Sequence, residues 1–172
     1  FTTLVEKTEG VSSILFTSSG AVYRPSLTAL SENSPLVQRV ESVNKTNAYA
    51  QSKLASEEII QKITSSKIRV SIARCFAFCG PELPLIGHFA VGNFVSDILA
   101  GRPIYIKAPS PVFRSYLHTD DLVKWLMIMV TDERASGHIL NVGSQDAVSL
   151  LFIAEMLAKH FKSSFKLAIP EI

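Results

Sequence analysis

The sequence lacks the marks of a membrane protein and of a nucleic-acid-binding protein. No apolar stretch approaches the roughly 18 uninterrupted residues of a membrane-spanning helix, because Lys124 interrupts the most apolar candidate, Val123–Val130. The net charge is only +2 and no basic stripe is present. A single anionic ligand is compatible with this balance, whereas a polyanionic partner is not expected. The sequence therefore predicts a chain that binds neither membrane nor nucleic acid.

Cysteine is scarce as well. Cys75 and Cys79 lie in one apolar run, and no histidine or further cysteine stands at metal-ligand spacing from them. The sequence therefore predicts no metal site. Two reduced thiols in a core are typical of a cytoplasmic protein, and we expect that location for this chain.

The remaining composition, 47% hydrophobic over 172 residues, is enough for a substantial core. Strand, helix and strand patterns follow one another in the first half, which predicts an α/β fold with parallel strands and a right-handed crossover. After Pro81 the pattern changes, so we expect two domains, 1–80 and 81–172, with elements of the second returning to the first sheet. The predicted strands are 13–17, 67–78, 104–107 and 139–143, and the predicted helices are 46–64, 89–100, 119 onwards and 150–161.

A tyrosine and a lysine stand four residues apart, at Tyr49 and Lys53, within a predicted helix. Side chains at this spacing project from the same face of a helix. Tyrosine is a poor base at neutral pH because its reference pKa is about 10, but a positive charge close by favours the phenolate. The pair therefore indicates a general base. The spacing alone does not distinguish this from an exposed tyrosine beside a solvated lysine.

The apolar run that begins at Ile14 ends abruptly in the hydroxyl residues Thr17, Ser18 and Ser19. This pattern is typical of a buried parallel strand whose carboxyl end opens onto a ligand crevice. We therefore expect this strand end to form one site with the tyrosine and lysine of the helix that follows.

These features together resemble the extended short-chain dehydrogenase/reductase family, and in particular its NAD-dependent epimerases and dehydratases of nucleotide sugars. A serine at a strand end, followed on the next helix by Tyr-x-x-x-Lys, is one signature of that family. Three further signatures occur here in the family's order. The resemblance covers nearly the whole chain and rests on segments 14–23, 49–53, 74–81, 113–121 and 141–144.

The resemblance implies the C-terminal half of a Rossmann-type doubly wound parallel sheet, together with a small α/β substrate-binding domain. It also implies NAD as the cofactor, with NADP as an alternative. The family's glycine fingerprint, which holds the cofactor pyrophosphate at a helix N-terminus, has no counterpart in the sequence. We therefore expect the chain by itself to bind NAD weakly and to be inactive.

The resemblance also assigns catalytic roles to Ser19, Tyr49 and Lys53. Tyr49 would be the base, Ser19 would hydrogen-bond to the reacting hydroxyl, and Lys53 would lower the pKa of Tyr49 and hold the nicotinamide ribose. The residues expected to contact the cofactor are Thr17, Ser18, Tyr49, Lys53 and Phe76.

The substrate implied by the resemblance is a UDP- or dTDP-linked hexose, which Ser19 would contact at the sugar. Arg114 would clamp the diphosphate with a planar fork of donors that lysine cannot supply, although an arginine beside a polar turn is also an ordinary surface residue. His88 and Asn93 fall where members of the family contact the nucleotide sugar. In the family, the helix that carries Tyr49 packs against its copy in a second subunit, which implies a homodimer.

Two departures from the family pattern bear on the reaction. An asparagine expected after the second strand is Ala77, and the Asp-Glu pair that 4,6-dehydratases carry after the strand-end hydroxyl is replaced by Gly20 and Ala21. Dehydration across C5 and C6 needs a base and an acid, so the absence of the Asp-Glu pair favours epimerisation or ketoreduction over dehydration. We expect an epimerase that acts at C4 through a keto intermediate. The alternatives are a 4,6-dehydratase, a 4-ketoreductase and a catalytically silent nucleotide-sugar- or dinucleotide-binding module.

Overall fold

The computed structural model describes residues 10–26, 28–38, 45–63, 68–87, 89–108 and 111–167. His88, one of the predicted substrate contacts, lies outside the described residues. The chain divides into two compact units, each with its own strands and helices. Unit 1 comprises Phe1–Phe76 and Asp121–Val142, and unit 2 comprises Ala77–Asp120 and Gly143–Ile172.

Helices separate single strands or short groups of strands along the described chain. Short 3-10 turns lie at Gly20–Val22 and Glu133–Ala135. In chain order the elements are β1 (Ser13–Ser19), α1 (Lys45–Gln61), β2 (Arg69–Cys75), β3 (Phe78–Cys79), α2 (Ala90–Leu99), β4 (Ile104–Ile106), β5 (Phe113–Arg114), β6 (Leu117–His118), α3 (Thr119–Thr131), β7 (Ile139–Val142), β8 (Val148–Ser149), α4 (Leu150–Phe161) and β9 (Phe165–Leu167).

The sheet of unit 1 consists of the parallel strands β1, β2 and β7, with β2 in the centre. Helix α1 connects β1 to β2, and α3 precedes β7, because parallel neighbours need a crossover connection. The prediction of an α/β fold with a parallel sheet is confirmed. β1 is two residues longer than predicted, since its pairing with β2 continues to Ser19, which lies opposite Cys75.

Helix α1 and the residues directly after it cover this sheet with isoleucine side chains. Ile60 and Ile63 pack with Ile72 of β2 in one buried cluster, and Ile72 is only 1% exposed. Burial of such side chains is the dominant favourable contribution to folding. The end of α1 is therefore held to the sheet by apolar packing.

Unit 2 has a separate apolar core formed by α2, β4 and α4, and β4 pairs in parallel with β9. Phe94, Ile104 and Ala154 are buried there. Ser149 caps α4 as a sequence pattern of this kind predicts, because its hydroxyl accepts a hydrogen bond from the Phe152 N–H at 3.0 Å. Two short strand pairs, β3–β6 and β5–β8, complete the unit. Among the helices in the described part of the chain, none has the length and hydropathy needed to span a membrane.

We expect Ile72→Ala to lower the free energy of unfolding by about 2–5 kcal/mol, because the removed atoms lose their burial and leave a cavity. Denaturant titration measures this change. Ile86→Ala is the matched control, since Ile86 is 77% exposed, and it should change the free energy of unfolding by less than about 0.5 kcal/mol. Similar effects at the two positions would contradict the assignment of Ile72 to a packed core.

Candidate active site

The predicted tyrosine–lysine pair stands beside the carboxyl end of β1. The Lys53 Nζ donates a hydrogen bond of 2.9 Å to the Thr17 carbonyl oxygen. The same nitrogen lies 5.7 Å from the centre of the Tyr49 ring and 5.1 Å from the centre of the Phe16 ring. The lysine therefore links the helix to the strand and places its positive charge near the tyrosine. The Tyr49 side chain is 54% exposed, so a ligand can reach it.

Ser19 is the last residue of β1, and a backbone N–H two residues further along the chain orients its side chain. Its Oγ accepts a hydrogen bond of 3.2 Å from the Ala21 N–H, which caps the 3-10 turn Gly20–Val22. Successive side chains of a strand point to opposite faces, and the two preceding residues differ accordingly: Thr17 is exposed, whereas Ser18 is buried. The structure thus brings Ser19, Thr17 and Lys53 to one end of one strand.

The space beside Gly20 is filled by the ring of Phe76. A Cβ atom built on Gly20 would lie 2.9 Å from Cδ1 of that ring. The ring itself stacks on Tyr23, with 6.2 Å between the ring centres. A carboxylate side chain at position 20 would therefore have to displace the Phe76 ring.

A buried hydrogen-bond network, which the sequence analysis missed, lies next to these strand ends. Arg74 of β2 donates to both carboxylate oxygens of Glu57 on α1, at 3.0 Å and 2.7 Å. The Ser18 hydroxyl donates to the same carboxylate. Arg74 also donates to the Tyr23 hydroxyl at 2.9 Å, and that hydroxyl donates to the Asn141 Oδ1 at 2.7 Å. The Glu57 and Arg74 residues are only 2% and 4% exposed.

Burial by itself would lower the pKa of the Arg74 guanidinium, since it disfavours the charged form. Hydrogen bonds to Glu57 and Tyr23, together with the carboxylate charge, outweigh burial, and the pKa of Arg74 is raised above its ordinary value. A sequence signal for this pair does exist. Arginine in an otherwise apolar strand needs a buried partner, and Glu57 follows Lys53 by four residues on the same helix face.

Two predicted substrate contacts lie in unit 2. Arg114 is exposed on β5, and its Nη1 donates to the neighbouring Phe113 carbonyl at 2.8 Å. The Asn93 side-chain amide on α2 donates to the Gly87 carbonyl at 3.0 Å and so holds the loop that precedes the helix. Burial raises the pKa of Tyr116, against the opposing positive charge of Arg114. An exposed guanidinium of this kind is available to an anionic ligand.

Cys75 and Cys79 are free thiols, and burial raises the pKa of both. The Lys53 charge opposes this rise at Cys75. A buried thiol is less readily ionised and so less reactive. Within the residues that the structure describes, no three histidine, cysteine, aspartate or glutamate side chains are grouped so as to hold a metal ion.

Residues 2–143 match the sequence model of the NAD dependent epimerase/dehydratase family. The chain belongs to this family. The predicted resemblance of the chain to this family is therefore confirmed.

Individual members similar to this chain carry different reaction names. A UDP-N-acetyl-alpha-D-glucosaminuronate decarboxylase of Bacillus cytotoxicus is 25% identical over 162 residues, which are 92% of this chain and 49% of that protein. The UDP-glucose 4-epimerase of Thermotoga maritima with UDP-glucose has the same fold, with a TM-score of 0.78, 16% identity and coverage of 94% of this chain and 52% of that one. A dTDP-glucose 4,6-dehydratase of Bacillus anthracis in complex with NAD also has this fold. Its TM-score is 0.79 and its identity 17%, and the match covers 99% of this chain and 53% of that one.

These comparisons leave the particular reaction of this chain open. The chain spans about half the length of each of these three proteins. These matches therefore do not establish the activity of the whole protein.

We expect Gly20→Ala to destabilise the protein by about 1–3 kcal/mol, because the added methyl group overpacks the contact with the Phe76 ring. Thermal denaturation measures the effect. The double variant Gly20→Ala/Phe76→Leu should lose less stability than the sum of its single variants, since the smaller side chain relieves the clash. Additive losses would show that Phe76 does not close this space.

Proposed function

We propose that the full-length protein is an NAD-dependent nucleotide-sugar epimerase that acts at C4 of a UDP- or dTDP-linked hexose. The observation that carries this proposal is the Lys53 ammonium, which is held on the Thr17 carbonyl and lies beside the exposed Tyr49 ring. With Ser19 at the same strand end, these side chains supply a base, a cation and a hydroxyl. That set suits oxidation of a secondary alcohol.

In the proposed mechanism Tyr49, as a phenolate, accepts the proton of the 4-hydroxyl. The Ser19 hydroxyl, oriented by the Ala21 N–H, hydrogen-bonds to the same oxygen and helps the proton to move. The Lys53 charge stabilises negative charge on the Tyr49 oxygen. When hydride adds to the opposite face of C4, Tyr49 would return its proton to the C4 oxygen, and the alcohol is re-formed with inverted configuration.

The polar groups at this strand end fit a bound dinucleotide. An ammonium has three donors, and Lys53 uses one of them on the Thr17 carbonyl, so it can also bind a ribose hydroxyl. The exposed Thr17 side chain and the Phe76 ring are further contacts in the proposal. Ser18 would contribute its main chain, because its buried hydroxyl is engaged by Glu57. When bound, NAD accepts the hydride from C4 and returns it.

The shape of the site bears on the competing reactions. Elimination across C5 and C6 needs further acid and base groups, and the Phe76 ring leaves no room for one beside Gly20. Decarboxylation needs none of these, because a uronic acid that is oxidised at C4 is a β-keto acid and loses carbon dioxide readily. A decarboxylase is therefore the second candidate, and the similarity to the Bacillus cytotoxicus enzyme favours it.

Substrate binding is assigned to Arg114, whose exposed guanidinium would hold the diphosphate, with Asn93 as a further contact. The role of His88 stays a prediction. The homodimer through α1 and the cytoplasmic location stay predictions as well. The exposed Ile59 on α1 is compatible with such a contact between subunits.

The full-length enzyme should be incubated with NAD and, separately, with UDP-glucose, dTDP-glucose and UDP-glucuronic acid, with products identified by NMR. The proposal predicts the C4 epimer of a hexose substrate without net change in cofactor absorbance. Carbon dioxide from UDP-glucuronic acid alone would identify a decarboxylase, and a 4-keto-6-deoxy sugar a dehydratase. Stoichiometric consumption of NADH or NADPH would identify a ketoreductase. Binding without any product would indicate a silent module.

Tyr49→Phe should lower kcat by about 100-fold to 10,000-fold while NAD affinity is kept, because only the proton-accepting hydroxyl is removed. Turnover and calorimetric NAD binding provide the two measurements. Tyr105→Phe is the matched control, as Tyr105 is also exposed and lies outside the proposed site. A kcat of Tyr49→Phe within a few-fold of the control would remove Tyr49 from the mechanism.

Arg114→Lys should weaken nucleotide-sugar binding by about tenfold and leave NAD affinity unchanged, because it keeps the charge and loses the bidentate fork. Arg102→Lys, at an exposed arginine paired with Asp97, is the control and should bind both ligands like the wild type. If Arg114→Lys weakens both ligands equally, the arginine has a structural role instead.

A further inference from the structure

We propose that the buried ion pair between Glu57 and Arg74 positions the catalytic end of β1, beyond any contribution it makes to folding. The inference rests on the proposed function, in which Ser19, Tyr49 and Lys53 carry the chemistry. Neither Glu57 nor Arg74 is itself assigned a contact with substrate or cofactor. Each is a positioning residue that acts through hydrogen bonds to neighbouring elements.

The first part of the argument concerns how α1 is held against the strands. Lys53 and Glu57 stand one helical turn apart, and they bind consecutive residues of β1: Lys53 binds the Thr17 carbonyl, and Glu57 accepts from the Ser18 hydroxyl. The Glu57 carboxylate is also held by Arg74 of β2. A rotation or slide of α1 would break these bonds together. Tyr49, one turn before Lys53, is thereby fixed relative to the strand end.

The second part concerns the turn that follows β1. Arg74 donates to the Tyr23 hydroxyl, and the Tyr23 N–H donates to the Gly20 carbonyl at 3.2 Å, which closes the turn. The Tyr23 ring also stacks on Phe76, the side chain that fills the space beside Gly20. At its far end the Tyr23 hydroxyl is bound to Asn141 of β7. The guanidinium therefore connects the helix that carries the base with the turn that orients the serine.

Stability by itself does not account for an ion pair at this place. Apolar side chains of similar volume are often as stabilising as a buried ion pair, because removing two charges from water is costly. What the pair adds is direction, since a bidentate guanidinium–carboxylate contact fixes both distance and orientation. The same strand offers a contrast at its other end, where Arg69 pairs with Glu133, whose side chain is 86% exposed.

The test uses the full-length enzyme with Glu57→Gln, which keeps the shape and removes the charge, and Tyr23→Phe, which keeps the ring and removes the link to Arg74. Small displacements of catalytic groups cost up to about 100-fold in rate. We expect kcat to fall by about tenfold to 100-fold in Glu57→Gln and less in Tyr23→Phe, with KM and NAD affinity unchanged. Glu133→Gln is the matched control and should retain the wild-type kcat.

A variant that leaves Arg74 unpaired can fail to fold, so the double variant Glu57→Leu/Arg74→Met is included. It replaces both charges and should fold, with a lowered kcat. Wild-type kcat in this folded double variant would overturn the inference. A fall in apparent kcat that disappears once the rate is expressed per folded protein would assign the pair to stability alone and overturn the inference as well.

Hydrogen exchange without ligand separates this inference from the proposed function. The amides of residues 20–23 should exchange faster in Glu57→Gln and Tyr23→Phe than in the wild type and in Glu133→Gln, while the amides of β2 stay protected. An inactive wild-type enzyme would refute the proposed function and leave this measurement intact. Unchanged exchange in the turn would refute the positioning role, whatever reaction the enzyme catalyses.

Discussion

A buried charge must find its partner inside the protein, and that requirement organises the strand ends of unit 1. Arg74 lies in the central strand, where water cannot solvate it, so the chain supplies a carboxylate from α1 and a hydroxyl from the turn after β1. Each partner belongs to a different element. The hydrogen bonds of the Arg74 guanidinium therefore fix the helix, the turn and the strands relative to one another. The proposed catalytic groups, which these elements carry, are fixed with them.

Local signals allowed much of this structure to be predicted. The bounds of α4 and its Ser149 cap follow from residues close together in sequence, as does the pairing of Tyr49 with Lys53. The sequence analysis does not predict the contacts of Arg74, because its partners Glu57 and Tyr23 stand 17 and 51 residues away. Which residues meet depends on how the chain folds back: helical spacing places Glu57 on the same face as Lys53 but does not identify Arg74 as its partner. The sequence also predicts that β1 ends two residues too early, at Thr17, because its last residues become strand only through pairing with β2.

The particular reaction is less accessible than the family. Epimerisation, dehydration and decarboxylation of a nucleotide sugar can all begin with removal of hydride from C4, and in the proposed function the groups at the end of β1 serve that common step. The three reactions differ in their later steps at C5 and C6. Those steps depend on the shape of the site and on the substituents that the substrate carries at these carbons. In the proposed function, the Phe76 ring beside Gly20 disfavours an acidic group at that position and therefore argues against dehydration.

The most direct test of the account follows the hydrogen at C4. Full-length enzyme should be incubated with NAD and a nucleotide hexose deuterated at C4, and the product should be examined by NMR and mass spectrometry. If oxidation and reduction occur at that carbon with a retained cofactor, the epimer keeps deuterium at C4 and no free NADH accumulates. Loss of the deuterium to solvent, or its appearance at C6, would contradict the account.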